Sequence, residues 1–364
     1  MNIELSKDQT DACKLVIEKL KSDRIASLHG YAGSGKTTLA KTIAKDFGEA
    51  FYHAFTGKAA DVLRRKTGFG TTIHRSFYNM TGKAPDGRPR FKAIPPLDGQ
   101  ITRGIIVLDE ASMIPKDMLD NILAHVAYYE RLHLLIIGDP FQLPPVNAQP
   151  HPLAFETPTA KLTTVHRQVA NDPILRLATS IRKSERPDGH GITTTHCETI
   201  DDGHLASASM ILCGRNATRK SLNRHMRRVL GYEAPTPSPG ERLVCLKNNH
   251  QLGLYNGSTY TVRQADRTKD IVLLELVDSD GNIYNTEALS ETFKTGIAKH
   301  EGEYDEFDFG YAITVHKSQG SEYPDVILAN EAVGDNADLK RRWMYTGVTR
   351  AKRKLTIMNV GGRD

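Results

Sequence analysis

The chain has 364 residues, a quarter of them charged, and a formal net charge of +5. That length exceeds one ordinary core and fits two domains with room for a smaller inserted module, and the composition is that of a soluble globular protein, not a fibrous or disordered one. No apolar run nears the roughly 18 residues of a membrane span, and the start "MNIELSKDQTDACK" lacks the apolar core of a secretory signal, so a cytoplasmic setting is expected.

The net charge alone favours an anionic partner only slightly, and where the charges sit matters more. Four cysteines, Cys13, Cys197, Cys213 and Cys245, form no C-x-x-C pair. His196, Cys197, His204 and Cys213 match no structural zinc spacing, so ordinary thiols are expected.

From Ile25 to Val146 short apolar runs alternate with amphipathic ones: "IASLHG", "KTTLAKTIAKDF", "AFYHAF", "AADVLRRKTG", "GIIVLDEA", "MLDNILAHVAYY" and "LHLLIIGD". Strands without polar alternation, each followed by a helical pattern, predict a parallel sheet covered on both faces. One segment, "SFYNMTGKAPDGRPRFKAIPPLDG", breaks the rhythm, and Pro85-Asp86-Gly87 between two strand-like runs predicts a protruding hairpin.

After Leu162 comes a helical stretch, "NDPILRLATSIRKS", then a polar linker from Glu185 to about His204. The strand "ASMILCG" and the helix "NATRKSLNRHMRRVLG", ending at Gly231, begin a second α/β domain. The Pro-rich "APTPSPGERL" marks a boundary. Beyond it "NGSTYTVRQAD", "DIVLLELVDSDGN" and "IYNTEAL" predict a small antiparallel barrel, an insert because the α/β pattern resumes at "YAITVHKS" and "DVILAN". There is no internal repeat and no low-complexity tract.

"LHGYAGSGKTTL" contains Gly30-x-x-x-x-Gly35-Lys36-Thr37 between an apolar run and a helical one, the context a P-loop requires. Its glycines let backbone N–H groups turn inward around phosphate oxygens, and the helix N-terminus adds partial positive charge. Gly33, Ser34, Gly35, Lys36, Thr37 and Thr38 are the candidate nucleotide-binding residues, with Lys36 reaching the β and γ phosphates and Thr37 ligating Mg²⁺. The alternative is a Gly-rich turn that binds nothing. Asp109 and Glu110 end the apolar run "GIIVLDEASM"; Asp109 fits the Mg²⁺ partner and Glu110 the group that orients or deprotonates the attacking water. Acidic pairs alone are usually solvated, and the apolar run before this one argues otherwise. Parallel sheets bind ligands beyond the carboxyl ends of their strands, which puts Gln142, just after "LLIIGDP", at the rim with Lys36 and Asp109. It is then placed to touch the γ phosphate or the lytic water, unless it is an exposed loop amide.

The ordered series "LSKDQTDA", "GYAGSGKTT", "AFTGKAADVL", "VLDEASM", "GDPFQLPPV", "LTTVHRQVANDPIL", "ITVHKSQGSEY" and "YTGVTRAK" resembles superfamily 1 helicases, and within them the subclass B enzymes of the RecD and Dda type. The resemblance covers the chain from about Leu5 to Lys354. It implies that Gln9 reads the adenine, that Arg167 and Arg350 reach the γ phosphate, and that Glu322 lies near the ribose. It implies an ATP- and Mg²⁺-dependent DNA helicase or translocase moving 5′ to 3′ on single-stranded DNA, working at single-strand/duplex junctions as a monomer, in replication or recombination. A translocase that strips proteins with weak unwinding, or an ATP-gated nucleic-acid clamp, are the other classes.

The implied fold is α/β: two RecA-like parallel-sheet domains, 1–77 with 101–170 (1A) and 171–245 with 305–364 (2A), a small hairpin pin at 78–100 (1B), and an SH3-like insert at 246–304 (2B). Hydrolysis between the two RecA-like domains would open and close them as each grips the strand in turn.

A single-strand track needs backbone-contacting donors and flat side chains. By resemblance these are Thr56 and Lys58, Thr72, His74 and Phe77, and Thr314, His316 and Lys317, with Asn216 and Arg219 at the start of the basic helix; taken singly, His74 and Phe77 fit core or surface as well, and a basic helix is most often a solvated face. Phe91 or Pro95 would be the blunt element of the pin. The family usually shows proline where Phe55 stands here, and the insert leaves little room for the hook some phage members carry.

Overall fold

The computed structural model describes residues 5–84, 89–156, 158–163, 172–185, 194–197, 201–298 and 304–359, with backbone alone at 194–197 and 359. The chain divides into two compact units, residues 1–81 with 91–187, and residues 82–90 with 188–364.

Through Lys183 the chain runs α1 (Lys7–Asp23), β1 (Ile25–Gly30), α2 (Lys36–Ala44), β2 (Ala50–Ala54), α3 (Gly57–Thr67), β3 (Thr71–Thr72), α4 (Ile73–Phe77), β4 (Tyr78–Lys83), β5 (Pro89–Ala93), β6 (Gly104–Asp109), α5 (Lys116–Tyr128), β7 (Leu132–Gly138), α6 (Pro152–Phe155), β8 (Ala160–Leu162) and α7 (Pro173–Lys183), all in the first unit except the hairpin residues 82–90. Six of its strands make one sheet in the order β3-β2-β6-β7-β1-β8, parallel throughout. Every residue of β6 is buried, as its unbroken apolar sequence requires of a strand covered on both faces. The two faces follow the strand's two-residue period. Ile105 and Val107 join Val16, Leu20, Leu39, Ile43 and Leu63 of α1 to α3, whereas Ile106 and Leu108 join Ile73, Leu119, Ile122 and Val126 of α4 and α5.

β4 and β5 pair only with each other, and nearly every residue in them is exposed. The predicted turn Pro85-Asp86-Gly87 lies outside the described residues.

His53, inside β2, is fully buried. Its Nδ1 lies 3.1 Å from the Phe51 carbonyl, which can only accept, so Nδ1 carries the proton and Nε2 accepts from the Ser76 hydroxyl at 2.9 Å. Burial pushes its pKa down to about 4 from 6.5, against a smaller opposing effect of the Phe51 bond. A neutral histidine in the folded chain and a protonated one in the unfolded chain make stability complete above pH 6.5, falling as the pH drops toward 4. Between pH 7 and 4.5 the urea unfolding free energy of the wild type should fall by about 2–3 kcal/mol more than that of His53→Gln. Equal losses in the two proteins would refute a neutral buried imidazole.

The second unit contains β9 (Thr194–Cys197), α8 (Asp202–Ser207), β10 (Met210–Cys213), α9 (Asn216–Val229), β11 (Arg242–Cys245), β12 (Thr259–Arg267), β13 (Ile271–Val277), β14 (Ile283–Leu289), α10 (Ser290–Thr295), β15 (Phe307–Phe309), β16 (Ala312–Thr314), α11 (Val315–Ser318), β17 (Tyr323–Asn330), α12 (Ala337–Val348) and β18 (Ala351–Asn359). Its parallel sheet has the order β16-β10-β17-β18-β9. The stretch expected to be a polar linker from Glu185 to His204 therefore includes a strand. β9 sits at the sheet edge, where "TTHC" needs no apolar run because only one neighbour, β18, pairs with it.

The predicted antiparallel module is a five-stranded sheet, β14-β13-β12-β11-β15, that closes through a bridge between Ala288 and Asp305. It draws β11 and β15 from outside residues 246–304. The buried Asp305 carboxylate fastens the seam by accepting from Asn249 Nδ2 at 3.1 and 3.2 Å and from the Thr286 hydroxyl. Leu243, Tyr260, Val262, Phe307 and Phe309 share one hydrophobic cluster with Ile211 of β10 and Ile327 of β17.

Candidate nucleotide and nucleic-acid site

β1 ends at Gly30, and the loop after it makes its turn through two left-handed glycines, Gly33 (φ 76°) and Gly35 (φ 81°). A side chain at Gly30 would put Cβ 2.5 Å from the Ser34 hydroxyl and 3.1 Å from Leu162 Cβ and Lys36 Cγ, so any larger residue would displace Ser34. Lys36, the first residue of α2, folds its ammonium back across the loop and donates to the Gly30 carbonyl at 2.7 Å and the Tyr31 carbonyl at 3.0 Å. Ser34 is buried, and its Oγ has no hydrogen-bond partner. A buried hydroxyl without a partner in such a loop fits a phosphate oxygen, and its desolvation goes uncompensated without one. Thr38, one residue further along α2, is half-buried.

The Thr37 hydroxyl donates to Asp109 Oδ2 at 3.1 Å. Two hard oxygen donors this close are a set that suits Mg²⁺, which takes few protein ligands and keeps its waters. Asp109 Oδ1 accepts from the Glu110 N–H at 2.8 Å. Glu110 has left-handed backbone torsions (φ 52°, ψ 44°), uncommon for a residue with a Cβ, and these turn its side chain out of the strand line. Gln142 is buried, not an exposed loop amide, and its N–H bonds the Asp139 carbonyl at 3.1 Å. β7, which leads to Gln142, lies between β1 and β6, so the three motifs leave adjacent strands at one rim. Gln9 is the third residue of α1 and closes a capping box, accepting from the Ser6 N–H at 3.1 Å. Its amide donates to the Ser34 carbonyl at 3.2 Å, which ties α1 to the loop.

Three threonines of the expected track share one local role. Thr72 and Thr314 end a strand and Thr56 lies two residues past one, and each caps a helix by accepting from the N–H of Arg75, Lys317 and Ala59, at 3.3, 3.3 and 3.2 Å respectively. Lys58, in the first turn of α3, is half-buried. His74 is ringed by Phe91 at 4.6 Å, Tyr78 at 5.3 Å and Phe55 at 6.0 Å, and burial lowers its pKa. Phe91 and Met80 on the hairpin are exposed, as is Pro95 after it, whereas Ile94 is half-buried. Phe77 corrects the expectation of a strand contact. It is 1% exposed in the core beside Ile73, because these two share one face of α4.

In the second unit, burial pushes the Lys317 pKa down to about 8, with the Arg219 charge adding to the fall, and burial also lowers His316. Asn216 is exposed, and its Oδ1 accepts from Arg219 Nε at 3.2 Å. Arg219 itself is buried, paired with Asp308 and donating to the Gly296 carbonyl at 3.1 Å. The expected strand contact is thus corrected to an internal ion pair, whose partner lies 89 residues away in sequence. Arg350 is buried too, donating to Thr346 O at 3.0 Å, Ser321 O at 3.1 Å and Thr349 Oγ1 at 3.1 Å. Glu322 is exposed and pairs with Lys352 at 3.2 Å. Arg167 lies outside the described residues.

Sequence reasoning missed Glu331, the first residue after β17. Its buried carboxylate accepts from the Gly214 N–H at 2.6 Å, the Arg215 N–H at 3.0 Å and the Thr218 hydroxyl at 2.7 Å, so it caps α9 from another strand. The signal was a lone acid after an apolar run, with nothing to point to α9. Cys213 and Cys245 are buried, and burial pushes both thiols up to about 12, which keeps them protonated.

The family model described as an AAA domain matches residues 4–200, and one described as a UvrD-like helicase C-terminal domain matches 309–358. The ATP-dependent RecD2 DNA helicase of Deinococcus radiodurans is 31% identical over 93% of this chain and 47% of its own length. The RecBCD enzyme subunit RecD of Mycolicibacterium smegmatis is 27% identical over 96% of this chain and 70% of its own. The chain thus spans about half the length of the RecD2 relative. Among solved structures, Bacteroides Pif1 bound to ssDNA superposes with a TM-score of 0.65 at 18% identity, covering 99% of this chain and 93% of that one, a likeness of fold. No described helix is long and apolar enough to cross a membrane. With the AAA-domain model matching residues 4–200, more than half of its length, the chain belongs to the AAA-domain family, and it is similar over most of its length to helicases of the RecD type.

Proposed function

We propose that the protein is an ATP-dependent DNA helicase that moves 5′ to 3′ along single-stranded DNA and separates duplex ahead of it. The observation that carries this reading is the Thr37–Asp109 contact beside a phosphate loop whose lysine donates to two of its own loop's carbonyls. In this reading Lys36 trades those carbonyls for the β and γ phosphates, and the Ser34 hydroxyl and loop N–H groups hold the remaining oxygens. Thr37 and Asp109 would hold Mg²⁺, which supplies charge neutralisation to the phosphates when bound. Glu110 takes the proton of the attacking water, Gln142 orients that water, and Gln9 reads the base. Arg167 and Arg350 add positive charge at the γ phosphate during turnover, Arg350 leaving the Thr346 and Ser321 carbonyls to do so. Glu322 would lie near the ribose.

We place the track on Thr56, Lys58, Thr72 and His74 in the first unit and on Thr314, His316, Lys317 and Asn216 in the second. A threonine that caps a helix through its lone pair still has a hydroxyl hydrogen to give a phosphate. The His74, Tyr78 and Phe91 rings supply a face for bases, and the exposed β4–β5 pair serves as the 1B pin. The closed five-stranded module takes the place of the SH3-like 2B insert. A monomer on a single-strand/duplex junction is the working form.

A tailed-duplex assay with ATP and Mg²⁺ tests the reading. Strand separation should require a 5′ tail, with a 3′-tailed duplex separated at least about tenfold more slowly. Activity on the 3′ tail alone would reverse the direction. Single-strand-stimulated hydrolysis without separation would make the protein a translocase, and strand binding without turnover would make it a clamp.

A further inference from the structure

We propose that Arg182 is a positioning residue for the phosphate loop, acting through a stack on the Tyr31 ring; the proposal rests on the nucleotide site described above. Tyr31 is the second residue of the Gly30-x-x-x-x-Gly35-Lys36-Thr37 turn, where a large flat side chain has no part in cradling phosphate. The Arg182 guanidinium carbon lies 3.3 Å from the centre of that ring, and Lys161 Nζ on β8 lies 5.3 Å from it. Among the described residues, neither cation has a carboxylate or hydrogen-bond partner for its side chain. Two uncompensated cations on one ring mean that the ring itself is their partner, and a weakly hydrated planar guanidinium is the group best suited to it.

The stack joins the closed end of α7 to the turn that has to grip phosphate. α7 is capped at its start by Asp172, which accepts from the Ile174 N–H at 2.8 Å, and it buries Ile174, Leu177 and Ala178. It ends one residue past Arg182, where Ser184 turns left-handed (φ 59°) and the Glu185 N–H returns to the Ser180 carbonyl at 2.9 Å. Arg182 thus projects from a closed turn of a helix capped at both ends. On the loop side, the Tyr31 carbonyl accepts from Lys36 Nζ at 3.0 Å and from the Ser34 N–H at 3.2 Å. A triphosphate that takes the Lys36 ammonium removes one of those two restraints. The clamp on the ring is what then keeps the Tyr31 peptide in place, so that the N–H groups of Gly33 to Gly35 stay aimed into the cradle. Preorganisation of this kind acts on nucleotide affinity without any contact between Arg182 and the nucleotide.

Titration of the full chain with a fluorescent ADP analogue tests the clamp. Tyr31→Ala and Arg182→Ala should each weaken binding about 3- to 20-fold, and the double variant should be no weaker than the worse single one. Tyr31→Phe, which keeps the ring, should stay within about twofold of the wild type, and Arg182→Ala should raise the KM for ATP more than it lowers kcat. Losses that multiply in the double variant would show the guanidinium acting on the nucleotide by itself, and an unchanged affinity in Arg182→Ala would show it acting on nothing; either overturns the clamp. Should Tyr31→Ala fail to fold, Arg182→Ala measured in the Tyr31→Phe background decides, since its loss must equal that in the wild type. A wild type that binds no ADP analogue removes the nucleotide site itself, and the clamp with it, a result distinct from a wild type that binds and variants that do not couple.

Discussion

Lys36→Ala should lower ATP turnover by about 10²- to 10³-fold or more while leaving the fold intact. The ammonium lies at the loop mouth, 2.7 and 3.0 Å from two carbonyls that are its own chain's. Each is a neutral acceptor, so exchanging them for charged phosphate oxygens strengthens both bonds. Alanine takes one donor from the Gly30 and Tyr31 carbonyls, and it leaves the transferring phosphoryl group without its nearest fixed cation. Arginine does not replace it, since the planar fork cannot follow the short arc from α2 back over Gly30. Steady-state phosphate release together with far-UV circular dichroism checks this. Turnover within tenfold of the wild type in a folded Lys36→Ala protein would remove the loop from the chemistry.

Glu110→Gln separates binding from chemistry. The amide keeps the size and the left-handed backbone position but cannot take a proton at neutral pH, so kcat should fall about 10²- to 10⁴-fold while ADP and ATP affinities stay within a few-fold. The acid limb of the pH–rate profile should disappear with it, because that limb reports protonation of the base in the complex. The adjacent Asp109 cannot substitute, since Oδ1 is held by the Glu110 N–H and Oδ2 by Thr37. Single-turnover hydrolysis beside equilibrium binding distinguishes the outcomes. Loss of binding in step with turnover would move Glu110 from base to metal or phosphate ligand.

Much of the first unit was legible because its strands carry no polar alternation. "GIIVLD" and "LLIIGD" announce buried parallel strands, and the glycines with Lys36 announce a phosphate loop after β1. What periodicity cannot give is lateral order, so that β7 lies between the strands of Lys36 and Asp109 emerged only from the pairing. β9 was missed because an edge strand with polar residues offers no apolar run. Phe77 was misplaced although its signal was present: Ile73 and Phe77 are four residues apart, and four residues on a helix share a face. Arg219 gave no such hint, since a buried pair is specified by Asp308 in a distant strand, and a basic helix looks the same whether its arginines face water or a carboxylate. Glu331 was hidden for the same reason.

The shared cluster beneath the antiparallel module carries a mechanical corollary. Leu243, Phe307 and Phe309 pack with Ile211 and Ile327, so the module and the sheet have no seam of their own along which to slide. Any tug on its outer strands is handed directly to β10 and β17, and from β17 to the Glu331 carboxylate that steadies α9. The insert is a stiff handle welded to the second unit, and excising it would strip Ile211 and Ile327 of their cover.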